Sequence, residues 1–188
     1  MKSRFFNFFR LIRLKNLLII ALTQIIVKFT FIDELFPHDF PSNTDFLLLM
    51  FCTVFIAAAG YIINDIYDVE IDKINKSEKL IIGKSIPSRV AISWYYFLNT
   101  LAILMGTYLS FKIGEPYLVF IFIFFVFSLW KYSKTYKNSF LIGNILVSFI
   151  TSISVLNVFL FDVFPIHEKD WADVGQWKEF KKSLSSIL

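Results

Sequence analysis

The chain has 188 residues, 56% of them hydrophobic and 19% aromatic, with a formal net charge of +4 and a mean hydropathy of +0.63. That composition excludes an ordinary soluble domain and indicates an all-α, multi-spanning transmembrane helical bundle. The modest charge is dispersed over separate loops, which argues against a nucleic-acid footprint, and the lone cysteine, Cys52, allows no intrachain disulfide or cysteine-rich metal site.

The N-terminal stretch Lys2 to Lys15 is basic and amphipathic, and it reads as a cytoplasmic surface helix. Leu17 to Ile32 follows without a small-residue cleavage site and forms a first transmembrane helix, with Lys28 expected to snorkel near its far end. The connector Asp33 to Asp45 holds acids and prolines but no Lys or Arg. A second apolar helix, Phe46 to Ile63, carries a small-residue face at Ala57-Ala58-Ala59-Gly60 on which a neighbour can pack closely. It runs directly into Asn64-Asp65-x-x-Asp68-x-x-x-Asp72.

On a helix turning about 100° per residue, Asp65, Asp68 and Asp72 fall at roughly 0°, 300° and 340°, with Asn64 beside Asp68 at roughly 260°. Like charges at these spacings repel unless a cation sits among them. Hard oxygen ligands that leave coordination positions open suit Mg²⁺ with a phosphate-bearing substrate. The competing reading is a solvated acidic helix end neutralised by Lys73, Lys76 and Lys79. Acidic residues at the end of a membrane helix favour the functional reading.

This stretch resembles the first aspartate-rich motif, N-D-x-x-D-x-x-x-D, of the UbiA-type intramembrane prenyltransferases, matched at Asn64, Asp65, Asp68 and Asp72. The family's following N-R-P-x-R-P corresponds to Asn75-Lys76-Ser77-Glu78-Lys79-Leu80, which keeps the basic positions as lysines and loses both prolines. Lysine retains charge but not the bidentate fork of arginine. The resemblance extends to Arg13-Leu14-Lys15-Asn16, similar to the family's R-P-x-N, and to Gln24 deeper in the first helix.

Helix three is expected over roughly Val90 to Phe111. A turn at Lys112 to Pro116 leads into helix four, which ends near Trp130, and helix five runs from about Phe140 to Phe161. Before helix five, Tyr132, Tyr136 and Lys137 resemble the family's Y-x-x-x-K/R, and Gly143-Asn144 its Gly-Asn. An interfacial aromatic belt with positive-inside lysines is the plainer alternative for that segment. Residues 1–161 are thus expected to form a prenyltransferase-like domain, and 162–188 a polar tail with a short amphipathic helix near Trp177 to Leu184.

Loop charge sets the expected orientation. Segments 1–15 and 131–137 carry only basic charges, whereas the first connector carries only acidic ones. The N-terminus and the loops at 64–89 and 131–137 are therefore placed in the cytoplasm, on one face of an inner or cytoplasmic membrane. The resemblance implies Mg²⁺-dependent transfer of a prenyl group from a prenyl diphosphate to a lipid or aromatic acceptor. Asp65, Asp68 and Asp72 would hold the metal. Asn64, Lys76, Lys79, Tyr132, Lys137, Asn144 and Asn16 would line the substrate site.

Family members have about nine helices and a second D-x-x-x-D motif. Asp170-x-x-Asp173 has the wrong spacing, so about five helices of the N-terminal half are expected here, with a second chain as a candidate source of the missing motif. A non-catalytic subunit and a small cation-coupled transporter are the other readings. A transporter should place polar groups at mid-membrane depth.

Overall fold

The computed structural model describes residues 2–35, 42–75, 78, 80–136, 151–152 and 155–161. Among these residues all regular secondary structure is helical, apart from an isolated bridge between Ile82 and Ile86 in a loop. Helix α1 (Lys2–Leu11) precedes α2 (Leu14–Ile26), which continues as a π-helical turn, Val27–Ile32, and a short α3 (Asp33–Leu35). Next come α4 (Asn43–Asn75), α5 (Ser88–Lys112), a 3₁₀ turn (Pro116–Leu118), α6 (Val119–Lys131) and a second π-helical turn, Tyr132–Tyr136.

Four stretches are long and apolar enough to cross a membrane: Leu14–Ile32, Asn43–Ile74, Ser88–Lys112 and Pro116–Tyr136. Most of the expected fifth helix lies outside the described residues. Its end, 155–161, is helical, with Val158 packed beside Ile32 and Phe46 and Phe161 beside Leu49 and Phe122. The expected tail, 162–188, also lies outside them.

α4 organises the bundle, contacting α1, α2, α5, α6 and the second π turn. Ser42 starts it with a capping box: its hydroxyl accepts from the Asp45 backbone N–H at 3.3 Å, and its own N–H donates to Asp45 Oδ2 at 3.3 Å. The other Asp45 oxygen meets Lys112 Nζ at 2.6 Å, fastening the start of α4 to the end of α5. At 33 residues and about 1.5 Å per residue, α4 is roughly 50 Å long, against a hydrocarbon core of about 30 Å. Some of its turns must therefore extend beyond that core or be accommodated by tilt.

The expected small-residue face is where the neighbours come in. Ala58 and Ala59 are buried against α2 and α5 residues, and a β-carbon on Gly60 would lie 2.9 Å from Leu129 Cδ1 of α6. Cys52 is fully buried, as its apolar setting suggested.

Two expectations are corrected. The N-terminal helix does not run unbroken from Lys2 to Lys15; it stops at Leu11 and restarts at Leu14, with Arg13 left-handed between them (φ 52, ψ 55). Lys28 does not snorkel freely: it is 2% exposed, and its Nζ meets Asp33 Oδ1 at 2.6 Å. The π turn supplies that pairing, because its i→i+5 register brings positions 28 and 33 together.

Candidate active site

The aspartate motif occupies the last turns of α4 as one continuous helix. Asn64, Asp65, Asp68 and Asp72 are all half-buried, whereas Tyr67, Glu70 and Lys73 on the other face are exposed. The motif's polar face is therefore turned toward the bundle, while Glu70, paired with Lys73 at 2.7 Å, points away.

Within that face, Asn64 Nδ2 donates to Asp68 Oδ2 at 3.2 Å. Asp65 Oδ1 is held by Arg13 Nη2 at 3.2 Å, and the guanidinium lies over the ring of Tyr61, 4.8 Å from its centroid. Asn16 Nδ2 donates to the Tyr61 hydroxyl at 3.3 Å. Asn16 thus reaches the turn of α4 immediately before Asp65. Among the described residues, no three His, Cys, Asp or Glu side chains converge closely enough to share one metal ion. Joint coordination by Asp65, Asp68 and Asp72 requires their side chains to rotate from this arrangement.

Tyr132 is half-buried and opens the π turn that packs on α4. Because Leu129, one turn earlier, abuts Gly60, this brings the end of α6 alongside the start of the motif. The turn is braced by Lys134 Nζ over the Trp130 ring at 4.9 Å and Lys131 Nζ over the Tyr136 ring at 5.9 Å. Lys76, Lys79, Lys137 and Asn144 lie outside the described residues.

Gln24 is buried deeper in the bundle, and its Nε2 donates to Thr53 Oγ1 at 3.1 Å, joining α2 to α4. Sequence reasoning passed over Arg13 and Tyr61 as site residues. Arg13 had a signal in its position three residues before Asn16, but nothing local indicated the left-handed turn that aims it at Asp65.

These elements define a membrane helical bundle with an aspartate-rich helix end facing inward, and the family follows from comparison. The profile of the UbiA prenyltransferase family matches residues 35–165, and the chain belongs to that family. Its relatives include the digeranylgeranylglyceryl phosphate synthase of Methanococcus maripaludis, 32% identical over 156 residues, covering 82% of this chain and 50% of the relative. The enzyme of that name from Sulfurisphaera tokodaii is 38% identical over 109 residues, covering 57% of this chain and 37% of the relative.

A solved structure, described as giving structural and mechanistic insights into the biosynthesis of digeranylgeranylglyceryl phosphate synthase in membranes, superposes with a TM-score of 0.72. It is 26% identical, with 87% of this chain and 56% of that chain covered. The chain spans half or less of the length of these two curated relatives.

Proposed function

We propose that this chain forms one side of an intramembrane prenyltransferase site, which takes a prenyl diphosphate and transfers its prenyl group to a lipid acceptor. The relatives' name points to a glyceryl phosphate lipid as that acceptor. The observation that carries the reading is the complete N-D-x-x-D-x-x-x-D motif on the inward face of α4, in a chain of this family.

The donor set fits a hard divalent cation: three carboxylates on one half-buried helix face, with Asn64 already orienting Asp68. When bound there, Mg²⁺ would neutralise charge developing on the diphosphate leaving group. Asp65, Asp68 and Asp72 would hold it, and Glu70 would take no part. Lys76 and Lys79 would add donors to the phosphate oxygens. Tyr132, Lys137 and Asn144 would complete the diphosphate end, and Asn16 would position Tyr61. The apolar bundle would shelter the isoprenoid chain from water, and Tyr132 would offer an aromatic face to an allylic cation, whereas Tyr67 is exposed on the far side of α4.

These residues supply one acidic cluster, and we propose that turnover requires a second, contributed by residues outside the 188 or by a separate chain. Residues 1–161 would then act as the diphosphate-binding half at the cytoplasmic face of the membrane. The experiment is transfer of labelled geranylgeranyl diphosphate into lipid extract, by this chain alone and with a co-expressed chain carrying D-x-x-x-D. Mg²⁺-dependent product is expected only in the second case. Robust turnover by this chain alone would remove the requirement for a second cluster. No product in either case would count against the enzymatic reading.

A further inference from the structure

Among the described residues, Arg13 is the one non-glycine residue with positive φ. Its β-carbon crowds the following carbonyl in that region, so the conformation persists only where its surroundings over-determine it. They do so here from both sides. Leu11, Ile12 and Leu17 are buried around the turn, and the Arg13 carbonyl accepts the N–H groups of Asn16 and Leu17 at 2.8 and 3.3 Å. The side chain is clasped by Asp65 and Tyr61, and Asn16 holds the Tyr61 hydroxyl. Beyond the turn, α1 lays Phe8 against Trp94 of α5 at 4.9 Å, and Phe8 and Phe9 join the apolar cluster that includes Ile66 and Val69 of the aspartate helix. The left-handed turn and the acidic motif are therefore in direct contact.

We propose that Arg13 is a built-in counter-cation for Asp65 that competes with the divalent cation for that carboxylate, so that cation binding releases the Arg13 clasp and loosens α1. The inference rests on the reading of Asp65, Asp68 and Asp72 as metal ligands. A guanidinium and a divalent cation sharing one carboxylate repel each other across a few ångströms. One must withdraw. The two side chains are 45% and 27% exposed, so the pair is of the weak, solvent-screened kind that a cation can displace. Release of the guanidinium also removes one of the contacts that hold the left-handed turn.

The test is Mn²⁺ binding to the 188-residue chain in lipid nanodiscs, followed by electron paramagnetic resonance, for wild type, Arg13→Gln, Arg10→Gln and Asp65→Asn. Loss of the competing contacts should make Arg13→Gln bind Mn²⁺ roughly three- to tenfold tighter than wild type. Arg10→Gln removes the same charge from an exposed neighbouring position, and its effect should stay within about twofold. In a Cys52→Ser background, nitroxides at Phe5→Cys and Ile74→Cys should show a distance that broadens when Mg²⁺ is added to wild type and is already broad in Arg13→Gln without it.

Unchanged or weaker Mn²⁺ binding by Arg13→Gln, or an equal gain in Arg10→Gln, would overturn the clasp. Should Arg13→Gln fail to fold, Tyr61→Leu, which removes the ring beneath the guanidinium, must shift affinity in the same direction, and no shift overturns the proposal. If Asp65→Asn abolishes binding while Arg13→Gln changes nothing, only the clasp falls. If Asp65→Asn leaves Mn²⁺ binding intact, the metal-ligand reading fails and the clasp with it.

Discussion

Replacing Gly106 by alanine tests how tightly the helices behind the site are packed. A β-carbon at Gly106 on α5 would meet the Phe122 ring of α6 at 2.4, 2.5 and 2.9 Å. The ring has little room to yield: Phe122 is fully buried and lies 5.4 Å from the ring of Phe161. Ordinary contact would be restored only by moving α5 and α6 apart by about 1 Å or by forcing the ring off its rotamer, which costs about 0.5–1.5 kcal/mol for the rotamer alone. Overpacking a tight core typically costs about 1–3 kcal/mol. Alanine returns about 1 kcal/mol of helix propensity, so the net expectation is a loss of up to about 2 kcal/mol.

Gly60 provides the internal control. There the clash is with the end of a flexible leucine, Leu129, which can rotate away, so Gly60→Ala should be neutral or slightly stabilising. The assay is unfolding of each variant in the same detergent, followed by fluorescence. Gly106→Ala matching wild type while Gly60→Ala is impaired would refute the packing argument.

Other outcomes follow from the same geometry. In a Cys52→Ser background, Lys84→Cys in the exposed turn after α4 should react with membrane-impermeant thiol reagent only from the cytoplasmic side, and Glu115→Cys at the α5–α6 turn only from the opposite side; the reverse labelling would contradict the orientation. Ser42→Ala removes the hydroxyl that caps α4 and should cost about 1 kcal/mol, read as a lowered unfolding midpoint. Lys112→Met should also lower that midpoint, because it strips the buried Asp45 carboxylate of its cation.

Much of the bundle was legible because membrane helices announce themselves by length and apolarity. Helices expected at Phe46–Ile63, Val90–Phe111 and the stretch ending near Trp130 correspond to α4, α5 and α6. The inward face of the motif was legible because helical periodicity alone separates Asp65, Asp68 and Asp72 from Glu70. The left-handed break at Arg13 was not, since no glycine or proline marks it and tertiary contacts from α4 hold it. Lys28 looked like a snorkelling lysine because the i→i+5 pairing with Asp33 depends on a π turn that a 3.6-residue period does not anticipate. The first miss arises where a long-range contact overrides local preference, and the second where the helix register itself departs from the usual period.

The central claim is that the inward carboxylates of α4, and not its general negative charge, bind a metal–diphosphate group. The most direct measurement is Mg²⁺-dependent binding of geranylgeranyl diphosphate to the chain in nanodiscs, comparing Asp68→Asn with Glu70→Gln. The substitutions remove equal charge two residues apart, one from the half-buried face and one from a side chain 82% exposed and paired with Lys73. Loss of one good charge-stabilising contact is worth roughly 2.7–4 kcal/mol where it acts on developing charge, and binding should fall at least tenfold for Asp68→Asn. Glu70→Gln, which breaks only an exposed ion pair, should change binding by no more than about twofold. Equal losses in the two variants would mean that the effect is diffuse surface charge, and would contradict the site.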